Sequence, residues 1–401
     1  MSDETRTLSF EQTIPATPDA VYHAFTNATA LREWLCDVAT VAPREGGRCY
    51  LAWNDGYYSS GEFKGLAPGE RVAFTWHGRG EPGTSSVRVR LTPDGDETGV
   101  HIVHDDLGTG DGWAETRSSL ERGWSFSLEN LESIFSTGAD LRFTQRPTLG
   151  ITVSDFDAAI AERMGVPVNE GICLDSIVPG MGAEAAGLQD GDVVVSIAGK
   201  EVVDWASLAD ALQGHRAGEE VEVVFYRGPQ RKQVTMTLSG RPIPEIPQTI
   251  GGLTDAVQER YAQINADLSE LFAGVTEAQA SRKSSSEGWS AREIVAHLIH
   301  SERGWHSQMA DIVTGHEPWY DDWGGNLQTR IEATLAAYPT TADLLEELRC
   351  LHSETVAFVE HLPATFLERK ASYWRLAYQL LETPYHHHTH MDQMREAMAA
   401  E

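Results

Sequence analysis

Two groups of histidines are the side chains best suited to chemistry in this chain: His386, His387, His388 and His390 near its end, and His297 and His300 about ninety residues upstream. Both groups fall in stretches that read as helices. Helical residues four apart share a face, so His386 and His390 can aim one imidazole each at a common point. His387 and His388 are rotated about 100° and 200° away from His386, so the run cannot converge as a whole. A third ligand from another helix would make a divalent-metal site. Three neutral imidazoles would leave positions open for water or substrate, as a catalytic rather than a closed structural site requires.

The elements that must position these rings belong to a chain of 401 residues, long enough for two to four domains. Hydrophobic residues make up 41% and charged residues 23%, the balance of folded globular protein rather than of extended disorder. With 31 Lys plus Arg against 60 Asp plus Glu, the formal charge of -29 repels phosphate backbones and anionic lipid surfaces, which argues against nucleic-acid and membrane partners. Four cysteines, Cys36, Cys49, Cys173 and Cys350, show no CxxC spacing, so neither a zinc knuckle nor a disulfide framework is expected. The first residues lack a basic stretch followed by an apolar one, and no run approaches the length of a membrane span, so a cytoplasmic location is expected.

The chain changes grammar twice. Residues 1–138 open with strand-like alternation over 8–14, then a helix from Asp19 to Phe25 that Thr17 or Asp19 can cap. Repeated strand-and-turn units follow, with Asp94-Gly95 as a hairpin turn. The segment closes on an amphipathic helix whose Leu120, Trp124, Leu128, Leu131 and Phe135 form one apolar stripe. In 147–240, glycines punctuate short apolar runs. Ser239 to Pro247 carries three prolines and reads as an extended connector. Residues 250–401 are helical, with four helices expected near 253–273, 289–314, 340–362 and 372–398. The loops between them contain Gly315, Pro318, Gly324-Gly325, Pro339 and Pro363, and Ser290 with Glu293 spells a capping box. The spacing of Leu344, Leu348, Leu351 and Val356 fits a four-helix bundle.

Each segment resembles a known family. Pro18-Asp19-Ala20-Val21-Tyr22-His23-Ala24-Phe25, Glu33-Trp34, Gly46-Gly47, Gly61-Glu62-Phe63, Phe74-Thr75-Trp76 and Gly123-Trp124 resemble the Hsp90-ATPase-activator-homologue branch of the START-like (SRPBCC) superfamily. That resemblance implies a helix-grip fold, with a small apolar ligand or a chaperone as partner. Trp34, Trp53, Trp76, Trp113 and Trp124 are dense for one domain and either line such a cavity or fill a core. Leu149-Gly150-Ile151, Ala185-Ala186-Gly187-Leu188, Gly191-Asp192 and Ala198-Gly199-Lys200 resemble the PDZ domains attached to HtrA-like proteases. The resemblance makes Leu149, Gly150 and Ile151 the loop that receives the C-terminal carboxylate of a peptide or protein, with the peptide added as a strand. No GxSxG elbow accompanies it, so a serine protease is not expected.

The third segment, through Trp289-Ser290-Ala291-Arg292-Glu293-Ile294-Val295-Ala296-His297-Leu298 and the H-x-x-x-H-x-x-Q spacing of His386, His390 and Gln393, resembles the DinB-like family and its thiol-dependent transferases. That resemblance implies a metal held by His297, His386 and His390, zinc or nickel on donor type, with a low-molecular-weight thiol as cosubstrate. Glu302 is expected to hold a ligand or a water beside the ion. His300 is a second-choice ligand, His387 and His388 are expected at the surface or behind the ligands, and His306, His316, His352 and His361 are assigned no role. The expected protein is multidomain α+β: a helix-grip domain, a PDZ β-sandwich or barrel with helices, and an all-α four-helix bundle. Its expected chemistry is thiol transfer or metal-assisted hydrolysis. The alternative is a non-enzymatic adaptor or co-chaperone-like protein that binds an apolar ligand and a peptide C-terminus.

Overall fold

The computed structural model describes residues 6–154, 156–212, 214–240, 242–283, 288–315 and 327–400. It folds as two compact units, one made of 1–140 together with 244–401 and the other of 141–243.

The first part of the larger unit is one seven-stranded antiparallel sheet in the order β1-β7-β6-β5-β4-β3-β2. Its strands are β1 (Arg6–Ile14), β2 (Val38–Val41), β3 (Arg48–Ala52), β4 (Tyr58–Ala67), β5 (Arg71–Gly78), β6 (Ser85–Asp94) and β7 (Glu97–Leu107). Inward positions alternate with outward ones along β5, β6 and β7, the period of a sheet with one face buried. Asp94 pairs with Glu97, so the turn residues are Gly95-Asp96 rather than Asp94-Gly95. Helices α1 (Pro18–Thr26) and α2 (Ala28–Trp34) interrupt the meander, and Thr17 is the residue that caps α1, accepting from the Ala20 N–H.

The sheet grips α3 (Trp113–Ser136), whose Leu120, Trp124, Leu128, Leu131 and Ile134 are buried. Trp34, Trp76 and Trp124 lie in this core and Trp53 at its edge; Trp76 packs on Trp53 and Trp124 with ring centroids 6.1 and 5.7 Å apart. A fully buried histidine sits among them. Trp124 Nε1 donates to His104 Nδ1 at 3.1 Å, which leaves Nε2 to donate to Ser85 Oγ at 2.7 Å. Burial lowers the His104 pKa to about 4.

The smaller unit begins with α4 (Leu141–Thr144) and β8 (Pro147–Thr148) and holds a five-strand path, β14-β13-β11-β10-β9, with β12 attached to β11. The strands are β9 (Ile151–Ser154), β10 (Ile172–Ile177), β11 (Val193–Ile197), β12 (Lys200–Glu201), β13 (Glu220–Arg227) and β14 (Gln230–Thr237); β15 (Ser239–Gly240) pairs with β8, so the extended connector begins only after Gly240. Helices α5 (Ala158–Met164), α6 (Gly182–Ala185) and α7 (Trp205–Leu212) fill the crossings. Ile197 pairs with Lys200, making Ala198-Gly199 a two-residue hairpin turn. Both turn residues have positive φ, 51° and 77°, which explains a glycine in the second place. Asp192, fully buried, receives Arg227 Nε and Nη2 at 2.7 Å each, a two-pronged charge-assisted pair that ties β13 to the turn before β11.

The rest of the larger unit is helical: α8 (Ile250–Leu271), the single turn α9 (Glu277–Ala280), α10 (Ala291–Thr314), α11 (Leu327–Ala337), α12 (Thr341–Glu360), a 3-10 turn at Ala364–Glu368 and α13 (Lys370–Ala399). Four of these form the expected bundle, each long helix packing on two others in the ring α8-α12-α10-α13. The helix α11 was not anticipated, and the expected loop residues Pro318 and Gly324-Gly325 lie outside the described residues. Ser290 and Glu293 close the capping box at the start of α10. The N-terminal turn of α13 docks on the helix-grip segment. Lys370 Nζ donates to the Phe135 and Ser136 carbonyls at 2.8 and 3.1 Å, capping the end of α3. Ser372 and Arg375 reach Glu33 at 3.1 and 3.2 Å, and Ala371 is buried in the helix-grip core.

An unfolded imidazole titrates near 6.5, so between there and about 4 the unfolded chain binds a proton that folded His104 refuses. This contribution to stability is present above about pH 6.5 and is lost as pH falls. In His104→Gln an amide can accept from Trp124 and donate to Ser85 without titrating. Between pH 7 and pH 5 the parent chain should lose about 2 kcal/mol more unfolding free energy than the variant. Urea denaturation in the presence of a chelator measures the difference, and equal losses would refute the assignment.

Candidate metal centre

The sequence positions the centre through two helices whose registers are set far from it. The capping box starts α10, and His297 follows seven residues after Ser290, with the Trp289 ring 5.1 Å from it. On α13, His386 and His390 stand one turn apart. The three Nε2 atoms converge: His297 to His386 is 3.3 Å and His386 to His390 is 3.0 Å. His386 is exposed and the other two rings are partly buried, so one side of the centre opens to solvent.

These contacts cannot all be ordinary hydrogen bonds. His390 Nδ1 lies 2.7 Å from Gln393 Oε1, an atom that only accepts, so Nδ1 carries the proton and the neutral ring presents a lone pair at Nε2. His386 Nε2 can donate to that lone pair, but a protonated imidazole nitrogen has none left with which to accept from His297. Three inward lone pairs around one cation remove the conflict. Tetrahedral nitrogens about 2.0–2.1 Å from zinc are about 3.3–3.4 Å from one another, close to the spacing here. Burial, then His390, His386 and His300, lower the His297 pKa to about 4, and burial followed by His390 lowers that of His386. Both rings are therefore neutral and able to ligate near pH 7. His297 Nδ1 is buried and has no hydrogen-bond partner among the described residues.

Other histidines are placed differently from expectation. His300 does not join the centre; Arg330 Nη1 lies 2.8 Å from its Nε2. His387, expected at the surface or behind the ligands, is buried, 1% exposed, because its 100° offset from His386 turns it into the bundle. Glu302, five residues past His297 and so on another face of α10, meets His352 and His387 and not the three-histidine centre. His352, which had been assigned no role, is 1% exposed on α12. The signal that could have found it is its stride: Leu344, Leu348 and His352 are four apart, which puts a histidine on the apolar face. His388 is exposed, 3.9 Å from an Asp267 oxygen.

Leu149 and Gly150 precede β9 and Ile151 begins it. The strand β9 pairs with β10 on one side and is the last strand of its sheet, which leaves its other edge for an added strand. Gly150 has φ of 75°, and a β-carbon there would lie 2.2 Å from that of Met181.

Fold and centre together define a multidomain α+β protein ending in a four-helix bundle with histidines on facing helices. Family models match three of its segments in order: Activator of Hsp90 ATPase homolog 1-like protein over 15–136, PDZ domain over 147–238 and DinB superfamily over 260–394. The chain therefore carries a domain of each of these families. It is 28% identical over 133 residues to a probable periplasmic serine endoprotease DegP-like of Marinomonas sp. (strain MWYL1), covering 32% of this chain and 28% of that protein. It is 29% identical over 94 residues to the periplasmic pH-dependent serine endoprotease DegQ of Escherichia coli (strain K12), covering 23% and 21%. The chain thus spans about a third or less of the length of these curated relatives. Among solved structures, CalU16 from Micromonospora echinospora is 27% identical, with 33% of this chain and 78% of that chain covered and a TM-score of 0.29. Protein CV1439 from Chromobacterium violaceum is 29% identical, with 32% and 96% covered and a TM-score of 0.28.

Because Gln393 holds His390 in the tautomer that ligates, Gln393→Leu should keep all three nitrogens yet weaken metal binding about 10-fold or more. Competition of the full chain against a chromophoric chelator measures this, and unchanged affinity would show that the tautomer is set elsewhere.

Proposed function

We propose that this protein is a metal-dependent enzyme of thiol transfer or hydrolysis, with His297, His386 and His390 holding zinc or nickel and the PDZ domain recruiting a peptide. The observation that carries the proposal is the meeting of three Nε2 atoms at 3.0 and 3.3 Å on the open side of the bundle. A divalent ion supplies the Lewis acidity that lowers the pKa of a small thiol or of water and so provides a nucleophile near neutral pH. The protein's own residues supply the rest. Gln393 orients His390, and packing on Trp289 orients His297. The Arg330 guanidinium, beside His300 and one turn along α10 from His297, puts fixed positive charge near the centre in a chain whose formal charge is -29. That charge favours an anionic substrate, which suits a thiolate or a carboxylated thiol.

In this reading the edge of β9 takes a peptide as an added strand, with its terminal carboxylate at Leu149, Gly150 and Ile151. The helix-grip domain contacts a chaperone or a small apolar ligand. A cytoplasmic location is part of this reading and accords with four free cysteines, three of them buried.

Mixing the zinc-loaded chain with 2-mercaptoethanol in weak buffer at pH 7 should release about one proton per chain, and His390→Ala should release none. Absence of release from the parent chain would remove thiol activation. For the peptide site, Gly150→Val forces a branched residue to positive φ and into Met181. A fluorescent peptide with a free C-terminus should bind the parent chain at least 10-fold more tightly than it binds the variant, and more tightly than its C-terminally amidated form binds the parent. Equal anisotropy curves for the free and amidated peptides would refute carboxylate capture.

A further inference from the structure

A second set of donors lies deeper in the bundle. Glu302 of α10, His352 of α12 and His387 of α13 are 2%, 1% and 1% exposed, and one ligand atom from each lies within 4.8 Å of the others. His352 Nδ1 is 2.9 Å from Asn265 Oδ1, which only accepts, so Nδ1 carries the proton and Nε2 a lone pair. That buried Nε2 has no hydrogen-bond partner among the described residues and faces Glu302 Oε1 at 3.8 Å. The Tyr261 ring stacks on His352 with centroids 4.2 Å apart, so the imidazole cannot readily swing to another partner.

Glu302 is as confined as the histidine it faces. The Tyr261 hydroxyl lies 3.2 Å from both of its oxygens, and Thr355 Oγ1 lies 3.3 Å from Oε2. The basic groups that face it are imidazoles: His352 Nε2 lies 3.8 Å from Oε1, and His387 belongs to the same cluster. A carboxylate oxygen and an imidazole lone pair thus face each other in the buried interior of the bundle. At 3.8 Å they are too far apart to share a proton in a hydrogen bond. Ligands about 2.0–2.2 Å from a tetrahedral ion stand about 3.3–3.6 Å apart, so a cation between the two would draw them together by only a few tenths of an ångström.

We propose that Glu302, His352 and His387 form a second, buried metal site that takes a divalent first-row transition ion. Two imidazoles and one carboxylate suit zinc, cobalt(II) or iron(II) better than magnesium or calcium, which prefer all-oxygen ligands. The site joins α10, α12 and α13 and is closed to bulk solvent, so its ion holds the bundle together, whereas the three-histidine centre is open. The two sites meet on α13, where consecutive residues His386 and His387 serve one each with ring centroids 6.0 Å apart.

The test strips the full-length chain with a chelator, reloads it with cobalt(II), dialyses it and counts the metal by elemental analysis, with far-UV circular dichroism to confirm folding. The parent chain should hold two ions. His297→Ala should hold one, the buried ion. Glu302→Gln, which keeps the shape and the Tyr261 contact, and His352→Gln should each lose that ion and keep the open one. Folded Glu302→Gln and His352→Gln chains with the parent's metal count would overturn the proposal. If neither variant folds, His297→Ala decides: one retained ion supports the buried site and none overturns it. A parent chain with one ion that is lost in Glu302→Gln but kept in His297→Ala would uphold the buried site and remove the open one.

Discussion

The helical bundle of this protein brings imidazole nitrogens face to face. Nitrogen lone pairs repel at close range, and a buried polar atom without a partner costs about 1–3 kcal/mol. The bundle nevertheless brings three Nε2 atoms within 3.0–3.3 Å contacts at its open side. Packing along the whole length of the helices sustains that arrangement: Leu253, Val257, Ile264 and Leu268 on α8, with Leu344 and Leu348 on α12, are buried and fix the spacing of the ring. A cation at that point would turn the same convergence from a cost into a stabilising interaction, which is the physical basis of the proposed metal site.

The helix α13 carries most of this arrangement. Its 30 residues span about 45 Å, so one helix can reach the helix-grip core at one end and the metal centre at the other. Lys370, Ala371, Ser372 and Arg375 seat its first turns against α3 and Glu33, which restrains rotation about its axis. Rotation matters, because a turn of 100° would exchange the places of His386 and His387. The helix-grip domain is therefore joined to the bundle through the first turns of α13. The PDZ unit has its own core, built on β9–β14 and pinned by Asp192 and Arg227.

Much of the fold could be read in the chain because its signals are local. A capping box needs only Ser290 and Glu293 three residues apart. Paired positive φ angles at Ala198 and Gly199 need only a tight hairpin, and the stripe on α3 needs only its own periodicity. The ligand pair His386 and His390 belongs to the same class, because four-residue spacing on a helix fixes their mutual position whatever lies opposite.

The remaining features depend on what lies opposite. Periodicity tells which residues share a helix face but not which neighbour that face meets, and so the spacing left His387 either at the surface or behind the ligands, whereas it is buried with its ring 5.5 Å from that of His352. The same limit separated Glu302 from its true partners, since its place is decided by α12 and α13 rather than by its distance along α10 from His297. The docking of Lys370 on the end of α3 joins residues more than two hundred positions apart, for which no local pattern exists. Composition, spacing and capping specified the helices, the strands and one pair of ligands. Long-range packing, which selects among the faces those elements offer, chose the third ligand's approach and drew the buried Glu302, His352 and His387 together.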